Sequence, residues 1–248
     1  REAARVLGEA RRSGMAAIRA SFAARPFSGR ETTRAIAGLT DRVVVAAWET
    51  ARRLHPLPEG RAEPALLAVG GYGRGEMAPF SDVDLMVLLP DGPGAGGQET
   101  VEGLLYLLWD LKLKVGHATR TLREALAIAR DDMTVRTAML ETRHLAGDAR
   151  LSATLRQRLL GELFRGTGTA FLEAKLAERE ARHARQGGQR YVVEPNVKEG
   201  KGGLRDLHGL FWIAKYLHGV GTTDELAALG IFTAEEFATF RRAEEFLW

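Results

Sequence analysis

The sequence predicts an α+β fold, with a small mixed sheet that has a helical arm before it and a helical domain after it. Two short apolar segments, Ala65–Val69 and Val83–Leu89, have the length of strands and end at turns rich in glycine or proline. Helical spacing of apolar residues precedes them over 31–54 and dominates the chain from residue 131 onward. Strands in the middle of the chain with helices on both sides are typical of an α+β architecture.

The N-terminal part is predicted to be helical. Residues 1–22 are rich in Ala and Arg, with spaced apolar side chains, and predict an amphipathic arm. Ser28 and Glu31 have the spacing of a capping box, in which each side chain accepts a backbone amide, so we expect a helix over 31–54. The proline-rich segment that follows cannot continue this helix.

The middle of the chain alternates between helix and strand. We expect a helix over Gln98–Trp109 and a third strand over Leu111–Thr119. Thr121 and Glu124 form a second capping box, which predicts a helix through Arg130.

From Asp131 onward the pattern predicts helices almost throughout, including 151–185, 204–218 and 233–248, with one extended piece at Tyr191–Val193. We therefore expect three regions, which are a helical arm at 1–30, a core at 31–147 and a helical domain at 148–248. The chain begins without Met and ends inside a predicted helix, so we expect it to be part of a longer protein.

The composition excludes several classes of site. The chain has no cysteine, which excludes disulfides, a thiolate nucleophile and zinc-thiolate sites. No apolar run approaches the roughly 18 residues of a membrane span, and no signal peptide opens the chain, so we expect a cytoplasmic protein without a membrane partner. The 35 basic and 32 acidic residues nearly balance, so no nucleic-acid partner is expected.

The segment GGYGRGEMAPFSDVDL at 70–85 contains two acids at a strand. Asp82 and Asp84 are separated by one residue, so both carboxylates should lie on the same face. Two neighbouring carboxylates repel each other, and a divalent cation removes this cost. Because Mg²⁺ typically takes one or two carboxylates plus substrate phosphates, the pair predicts a Mg²⁺ site, with Mn²⁺ as the alternative metal.

The same segment offers groups that bind phosphates. Gly70 and Gly71 have no side chains, so their amides can approach a triphosphate closely. Arg74 can contact phosphate oxygens, and Ser81 can donate its hydroxyl. Since nucleotidyl transfer depends mainly on positioning and charge neutralisation, the segment predicts a metal-dependent nucleotidyl-transfer site.

Phosphate-binding loops of two other classes do not match this segment. A Rossmann loop would need glycine at position 76, which is Glu, and a Walker loop would need a Gly-Lys-Ser/Thr sequence that is absent. The remaining alternative is a plain glycine turn before a strand with two exposed acids. The combination of the glycine pair with the two acids at this spacing favours the nucleotidyl-transfer site.

The strand, the glycine pair and the two acids on the next strand resemble the DNA polymerase β-like nucleotidyltransferase superfamily. With WDLKLKVGHATRT at 109–121 and EPNVKEGKGGLRDLHGLFWIAK at 194–215, residues 31–218 look closely like bacterial PII uridylyltransferases. The resemblance implies transfer of UMP from UTP to a tyrosine hydroxyl of the PII nitrogen-regulatory protein, with release of pyrophosphate. It also implies that Gly70, Gly71 and Ser81 bind the triphosphate and that Asp82 and Asp84 bind Mg²⁺.

The chain departs from the superfamily in one respect. A third carboxylate usually lies on a later strand, but Leu111–Thr119 contains no acid. Either Asp110 or Glu199 supplies it, or one metal is held more weakly. His117 on this strand is either a base, a phosphate contact or a structural residue.

The motif at 194–215 contains further candidate nucleotide contacts. Lys198 and Arg205 carry positive charge, and Gly202–Gly203 offers bare amides near the start of a predicted helix, where anions bind well. We predict that this segment closes over the nucleotide. In the alternative, Arg205 and Asp206 form a capping ion pair and the lysines are solvated.

Two other functions remain open. One is a related protein adenylyltransferase or an uncharacterised signal-transduction nucleotidyltransferase, because nothing at 70–85 separates UTP from ATP. The other is a non-catalytic nucleotide-binding module. The uridylyl-removing activity of the resembled family belongs to a phosphohydrolase domain with an adjacent His-Asp pair, and no such pair occurs in the sequence. We therefore expect this chain to transfer uridylyl groups but not to remove them.

Overall fold

The computed structural model describes residues 1–92, 97–186, 194 and 196–248. These residues form two compact units, Arg1–Gln157 and Arg158–Trp248, and each is described by itself below. The extended piece predicted at Tyr191–Val193 lies outside the described residues.

A four-stranded mixed sheet lies at the centre of the first unit. Its strands, in the order β3-β2-β1-β4, are β1 (Ala65–Ala68), β2 (Val83–Leu89), β3 (Val115–Thr121) and β4 (Arg143–Gly147). Strand β1 pairs antiparallel with both β2 and β4, whereas β2 pairs parallel with β3. The prediction of a small mixed sheet with helices before and after it is therefore confirmed.

Helices precede and follow the strands of the first unit, and the elements described in the second unit are all helical. The first unit contains α1 (Glu2–Ala24), α2 (Gly29–Leu54), α3 (Gly70–Gly73), α4 (Gln98–Asp110), α5 (Leu122–Asp131), α6 (Met133–Leu140) and most of α7 (Ala149–Arg158). The second unit contains a π-helical turn (Leu159–Phe164), α8 (Gly168–Arg185), α9 (Leu204–His218), α10 (Asp224–Ala228) and α11 (Ala234–Leu247). No helix of the described residues is long and apolar enough to cross a membrane.

The two predicted capping boxes have different outcomes. At the start of α5, the Thr121 hydroxyl accepts the Glu124 amide at 3.2 Å and the Glu124 carboxylate accepts the Thr121 amide at 2.8 Å, which confirms the prediction. The capping box at Ser28 is wrong. The Ser28 hydroxyl donates backwards to the Arg25 carbonyl at 2.6 Å, and the Ser28 backbone does not have the extended conformation that a capping residue needs.

The main core lies between one face of the sheet and the helices α2 and α4. Alternate residues of β2, Val83, Leu85 and Val87, are buried in this core. Apolar residues of α1 pack against the same cluster. On the opposite face, α5 packs on β2 and β3, and Met86 and Leu88 are buried. The N-terminal end of β2 on that face stays open, since Asp84 is only half-buried and Gly116 is exposed.

The prediction of nearly continuous helix after Asp131 is wrong at β4. This strand pairs with β1 through an irregular register, with a shift between Leu66 and Leu67. Its five residues are too few to show a period, and their conformation is set by hydrogen bonds to β1, which lies far away in sequence. The helix predicted over 151–185 is also interrupted, because Gly166 adopts a positive φ of 78° between the π-helical turn and α8.

Aromatic stacking joins the helices of the second unit. The rings of Phe171 on α8 and Tyr216 on α9 stack with their centroids 3.9 Å apart. The Tyr216 hydroxyl lies 2.6 Å from the Thr167 hydroxyl. Helices α9 and α11 confirm the predictions over 204–218 and 233–248, and Thr233 opens α11 with a capping box.

Candidate active site

The glycine turn directly follows a buried strand. Strand β1 ends at Ala68, and the Val69 amide donates to the Asp84 carbonyl at 3.0 Å, which ties the start of the turn to β2. Gly70 then adopts a positive φ of 59°, a conformation that favours glycine. The first amides of the short helix α3 have no carbonyl within the helix to bind. The turn therefore presents its amide end near the start of β2.

Asp84 lies in a slot between two glycines. It is the second residue of β2, and its partner in the parallel pair with β3 is Gly116. A Cβ atom added to Gly116 would come closer than 3.0 Å to Asp84 Oδ1, nearer than real Cβ atoms come. A Cβ atom added to Gly70 would lie 3.6 Å from Asp84 Oδ2. The carboxylate therefore occupies the space that a side chain at position 116 would take and lies in ordinary contact distance of position 70.

Asp82 precedes the strand by one residue and is exposed. The prediction that both acids lie on the strand is thus wrong for Asp82, because the hydrogen bonds of β2 to the neighbouring segment begin at the Val83 amide, which donates to the Lys114 carbonyl at 2.8 Å. The two acids still flank one residue of nearly extended chain at the open end of the sheet. Their hard oxygen donors at a solvent-accessible edge fit Mg²⁺, which completes its shell with water and phosphate oxygens.

Asp110, one of the predicted alternatives for a third carboxylate, does not join this pair. Among the described residues, no group of three or more His, Cys, Asp or Glu side chains is arranged to hold a metal. Asp110 ends α4, and Glu199 in the second unit forms an ion pair with Arg205 at 3.2 Å. His117 pairs with Leu85, so it lies on the sheet face opposite to Asp84, where its ring contacts Trp109 edge-on.

Ser81 lies in the exposed turn before the acids. Its hydroxyl oxygen accepts the Ala78 amide at 3.0 Å, and its own amide donates to the Ala78 carbonyl at 3.0 Å. These bonds fix the side chain next to Asp82. A hydroxyl that accepts one hydrogen bond can still donate its proton, so the geometry is compatible with a phosphate contact.

The structure places Arg74 in a mostly buried ion triad. Its Nη1 lies 2.6 Å from Glu141 Oε2, and its Nε lies 3.1 Å from Glu76 Oε2. Only 13% of the Arg74 side chain and 3% of the Glu141 side chain are exposed. Burial alone would lower the pKa of Arg74, but the two carboxylates raise it above its ordinary value. The sequence did not reveal these two partners.

Arg143 at the start of β4 holds the other end of the glycine turn. It donates from Nε to the Gly73 carbonyl at 3.2 Å and from Nη2 to the Tyr72 carbonyl at 3.1 Å. Its guanidinium also binds both oxygens of Asp41 on α2, at 2.9 and 3.0 Å. A single side chain thereby links α2, α3 and β4 and fixes the carbonyl end of the turn.

In the second unit, the loop before α9 contains Lys198 and leads to Arg205. The Asn196 side chain accepts the amides of Lys198 and Glu199 at 3.1 and 2.8 Å, which orders the loop. Lys198 is exposed. The Arg205 guanidinium pairs with Glu199 and lies over the Trp212 ring, 5.5 Å from its centroid.

The alternative in which Arg205 pairs with Asp206 is wrong. Asp206 instead turns toward α8, where it forms an ion pair with Arg182 and lies 3.0 Å from His183 Nε2. It also accepts the Gly202 amide at 2.8 Å. Burial opposes the charge, but the Gly202 amide, His183 and Arg182 lower the pKa of Asp206 below its ordinary value. Asp206 thus ties the loop before α9 to α8.

Two family models match the chain. The nucleotidyltransferase domain matches residues 60–143, which include the glycine turn, both acids and Gly116. The GlnD PII-uridylyltransferase model matches residues 170–248, which include Lys198 and Arg205.

Curated relatives match over nearly the whole chain. A bifunctional uridylyltransferase/uridylyl-removing enzyme of Ruegeria pomeroyi is 55% identical over 98% of this chain and 27% of its own length. The protein of the same name from Cereibacter sphaeroides is 55% identical over 99% of the chain and 27% of its own length. This chain spans about a quarter of the length of these relatives. The resemblance to the PII uridylyltransferases is confirmed, and residues 60–143 are similar to a nucleotidyltransferase domain.

Proposed function

We propose that this chain transfers UMP from UTP to a tyrosine hydroxyl of a PII protein and releases pyrophosphate, with Mg²⁺ or Mn²⁺, in the cytoplasm. The observation that carries the proposal is the Asp84 carboxylate, held between Gly70 and Gly116 beside the amide end of the glycine turn. The names of the relatives and of the matching family model support uridylyl as the group transferred and PII as the acceptor.

Each candidate residue has a separate task in this reaction. Asp82 and Asp84 hold the metal, which neutralises phosphate charge and favours ionisation of the attacking hydroxyl when it is bound. The amides of Gly70 and Gly71 and the Ser81 hydroxyl bind the triphosphate. The tyrosine that attacks belongs to the acceptor protein, so no covalent intermediate on this chain is required. The hydroxyl of that tyrosine titrates at about 10, so its proton must pass to water as the new O–P bond forms and the bond to pyrophosphate breaks.

Arg74 is proposed to contact the triphosphate while it keeps its carboxylate partners. A guanidinium has five N–H donors, and the bonds to Glu76 and Glu141 need only some of them. Arg74 lies two residues after Tyr72, at the end of the turn. Its ion pair with Glu141 therefore joins the turn to the segment just before β4. Arg74 would then serve as both a support for the turn and a phosphate ligand.

Lys198 and Arg205 are proposed as further contacts of the nucleotide. Lys198 is exposed, and Arg205 is held by Glu199 and Trp212 beside the same loop. In this proposal the chain works as an arm at 1–30, a nucleotidyltransferase core at 31–147 and a helical domain at 148–248.

The test is transfer of radiolabel from UTP or ATP to purified PII protein in the presence of Mg²⁺. We expect label from UTP on a PII tyrosine. Asp84→Asn should reduce the rate at least about 100-fold, because the charge that holds the metal is lost. The control is Asp224→Asn, a change of the same type at an exposed residue of α10, which should keep the rate.

Two results would contradict the proposal. Label from ATP but not UTP would assign the chain to the protein adenylyltransferases. Binding of nucleotide without transfer from either would indicate the non-catalytic module. Nucleotide binding is measured separately as a rise in thermal stability with UTP and Mg²⁺, since a ligand of the native state raises it.

A further inference from the structure

Gly116, the residue of β3 that faces Asp84, has no side chain. The two residues are register partners in the parallel pair of β2 and β3, so they share a face of the sheet. The next pair on that face, Met86 and Ala118, carries ordinary side chains. A glycine inside a strand weakens it and commonly marks a place where another group approaches closely. The group that approaches Gly116 is the Asp84 carboxylate.

The backbone of Gly116 gives no other reason for glycine. Among the described residues, the glycines with a positive φ include Gly70 but not Gly116. Gly70 is therefore favoured by its backbone conformation, and a Cβ there would make only an ordinary contact of 3.6 Å with Asp84 Oδ2. At Gly116 the situation is reversed, because a Cβ would collide with Asp84 Oδ1.

The collision would be relieved at the carboxylate rather than at the backbone. Strand β2 lies between β1 and β3 and is hydrogen-bonded to both, so its main chain cannot move away from β3 cheaply. The Asp84 side chain is half-buried at the open end of the sheet, and a change in its torsion angles moves the carboxylate without moving the strand. A methyl group at position 116 should therefore turn the carboxylate while the sheet remains intact.

We propose that Gly116 is a positioning residue of the metal site. Because Gly116 has no side chain, it leaves room beside β3 for the Asp84 carboxylate and so sets the direction of that carboxylate. The proposal rests on the proposed function for its consequence, since a turned carboxylate would hold Mg²⁺ poorly. It also gives a physical reason why β3 carries no acid opposite Asp84. The room that such a side chain would need is taken by Asp84 itself.

The first experiment compares Mn²⁺ binding to the full chain and to Gly116→Ala, measured by electron paramagnetic resonance in the presence of UTP. Residues that orient a metal ligand typically change metal affinity by about 10–100-fold, and we expect a loss of affinity of this size. The transfer rate should fall with it, while the unfolding midpoint without metal changes little. Gly38→Ala is the matched control, because the nearest atom to its added Cβ would be 4.0 Å away. It should bind Mn²⁺ as the unchanged chain does.

A second experiment tests the collision without any metal. If Gly116→Ala destabilises or unfolds the protein, Asp84→Ala in the same chain should restore its stability, because it removes the group that the new methyl meets. A loss of stability that persists in the double variant would overturn the proposal. Stability is measured by urea unfolding of the unchanged chain, the two single variants and the double variant.

The outcomes separate this proposal from the proposed function. Unchanged Mn²⁺ affinity in Gly116→Ala, with affinity lost in Asp84→Asn, would overturn only the role of Gly116. Absence of Mn²⁺ binding by the unchanged chain would overturn both. Weaker Mn²⁺ binding in Gly116→Ala, with stability either unchanged in that variant or restored in the double variant, would support the role of Gly116 even if ATP proved to be the substrate.

Discussion

Two glycine-containing loops of this protein, the turn at 70–73 and the loop before α9, are held by charged side chains of opposite sign. In the first unit, Arg143 donates to the carbonyls of Tyr72 and Gly73 at the end of the turn. In the second unit, the Asp206 carboxylate accepts the amide of Gly202. A cation thus holds carbonyls in one loop, and an anion holds an amide in the other.

The difference indicates which loop suits a triphosphate. Because Arg143 binds the carbonyl end of the first turn, the amide end stays available for phosphate oxygens. In the second loop, the Asp206 carboxylate already accepts the Gly202 amide, so the phosphate contacts proposed there come from the side chains of Lys198 and Arg205. Main-chain amides are therefore the proposed phosphate contacts at Gly70 and Gly71, and side chains are the proposed contacts at Lys198 and Arg205.

The largest effect is expected when the ion triad beneath the first turn is broken. Glu141→Leu removes the main partner of a mostly buried guanidinium, and loss of a buried partner typically costs about 3–5 kcal/mol. The measurement is the free energy of unfolding in urea. Glu9→Leu is the control, because it removes an exposed ion pair with Arg5 of similar length, 2.7 Å, and should change that free energy little. Equal losses in both variants would show that the triad does not hold the turn.

A smaller effect is expected from alanine in each loop. Gly73→Ala would press its Cβ against the Glu141 carbonyl, and overpacking of this kind costs about 2–3 kcal/mol. Gly202→Ala meets no atom within 4 Å but must adopt a positive φ of 81°, which costs about 1 kcal/mol. Urea unfolding should rank the variants in this order. The opposite order would mean that the first turn has more freedom than its contacts indicate.

Local patterns predicted much of this fold. Apolar periodicity identified α1, α2, α4 and the strands β1 and β2, because these features depend on residues a few positions apart. The glycine turn and the acids were predicted for the same reason, since their types and spacing carry the chemistry. The capping box at Thr121 was predicted, but the same spacing failed at Ser28, where the hydroxyl binds a carbonyl instead.

The contacts that were not predicted join residues far apart in the chain. Arg143 and Asp41 are 102 positions apart, and Arg74 and Glu141 are 67 apart. No spacing rule relates such residues, because their contact depends on how β4 and α2 pack beside the turn. Gly116 faces Asp84 only through the register of β2 and β3. The one local signal for it was a glycine inside a predicted strand, which indicates a close approach without naming the partner.

An effect close in size to that of Gly202→Ala concerns the charge that holds the second loop. Asp206→Asn should cost about 1–2 kcal/mol near neutral pH, because the charged bonds to Arg182, His183 and the Gly202 amide are weakened. The folded protein lowers the pKa of Asp206, while the unfolded chain keeps the ordinary value of about 3.9. The stabilisation by Asp206 is therefore fully present above that ordinary value and is lost as the pH falls through the lower, folded value.

The difference in unfolding free energy between the unchanged chain and Asp206→Asn should consequently shrink as the pH falls from about 5 to about 3. Asp224→Asn provides the control, since its carboxylate is 72% exposed and its nearest ion-pair distance is 3.7 Å. A difference that stayed constant across this range would mean that Asp206 stabilises the loop by its shape and hydrogen bonds alone. A shrinking difference would show that the second loop is held by charge, as the first is, with the sign reversed.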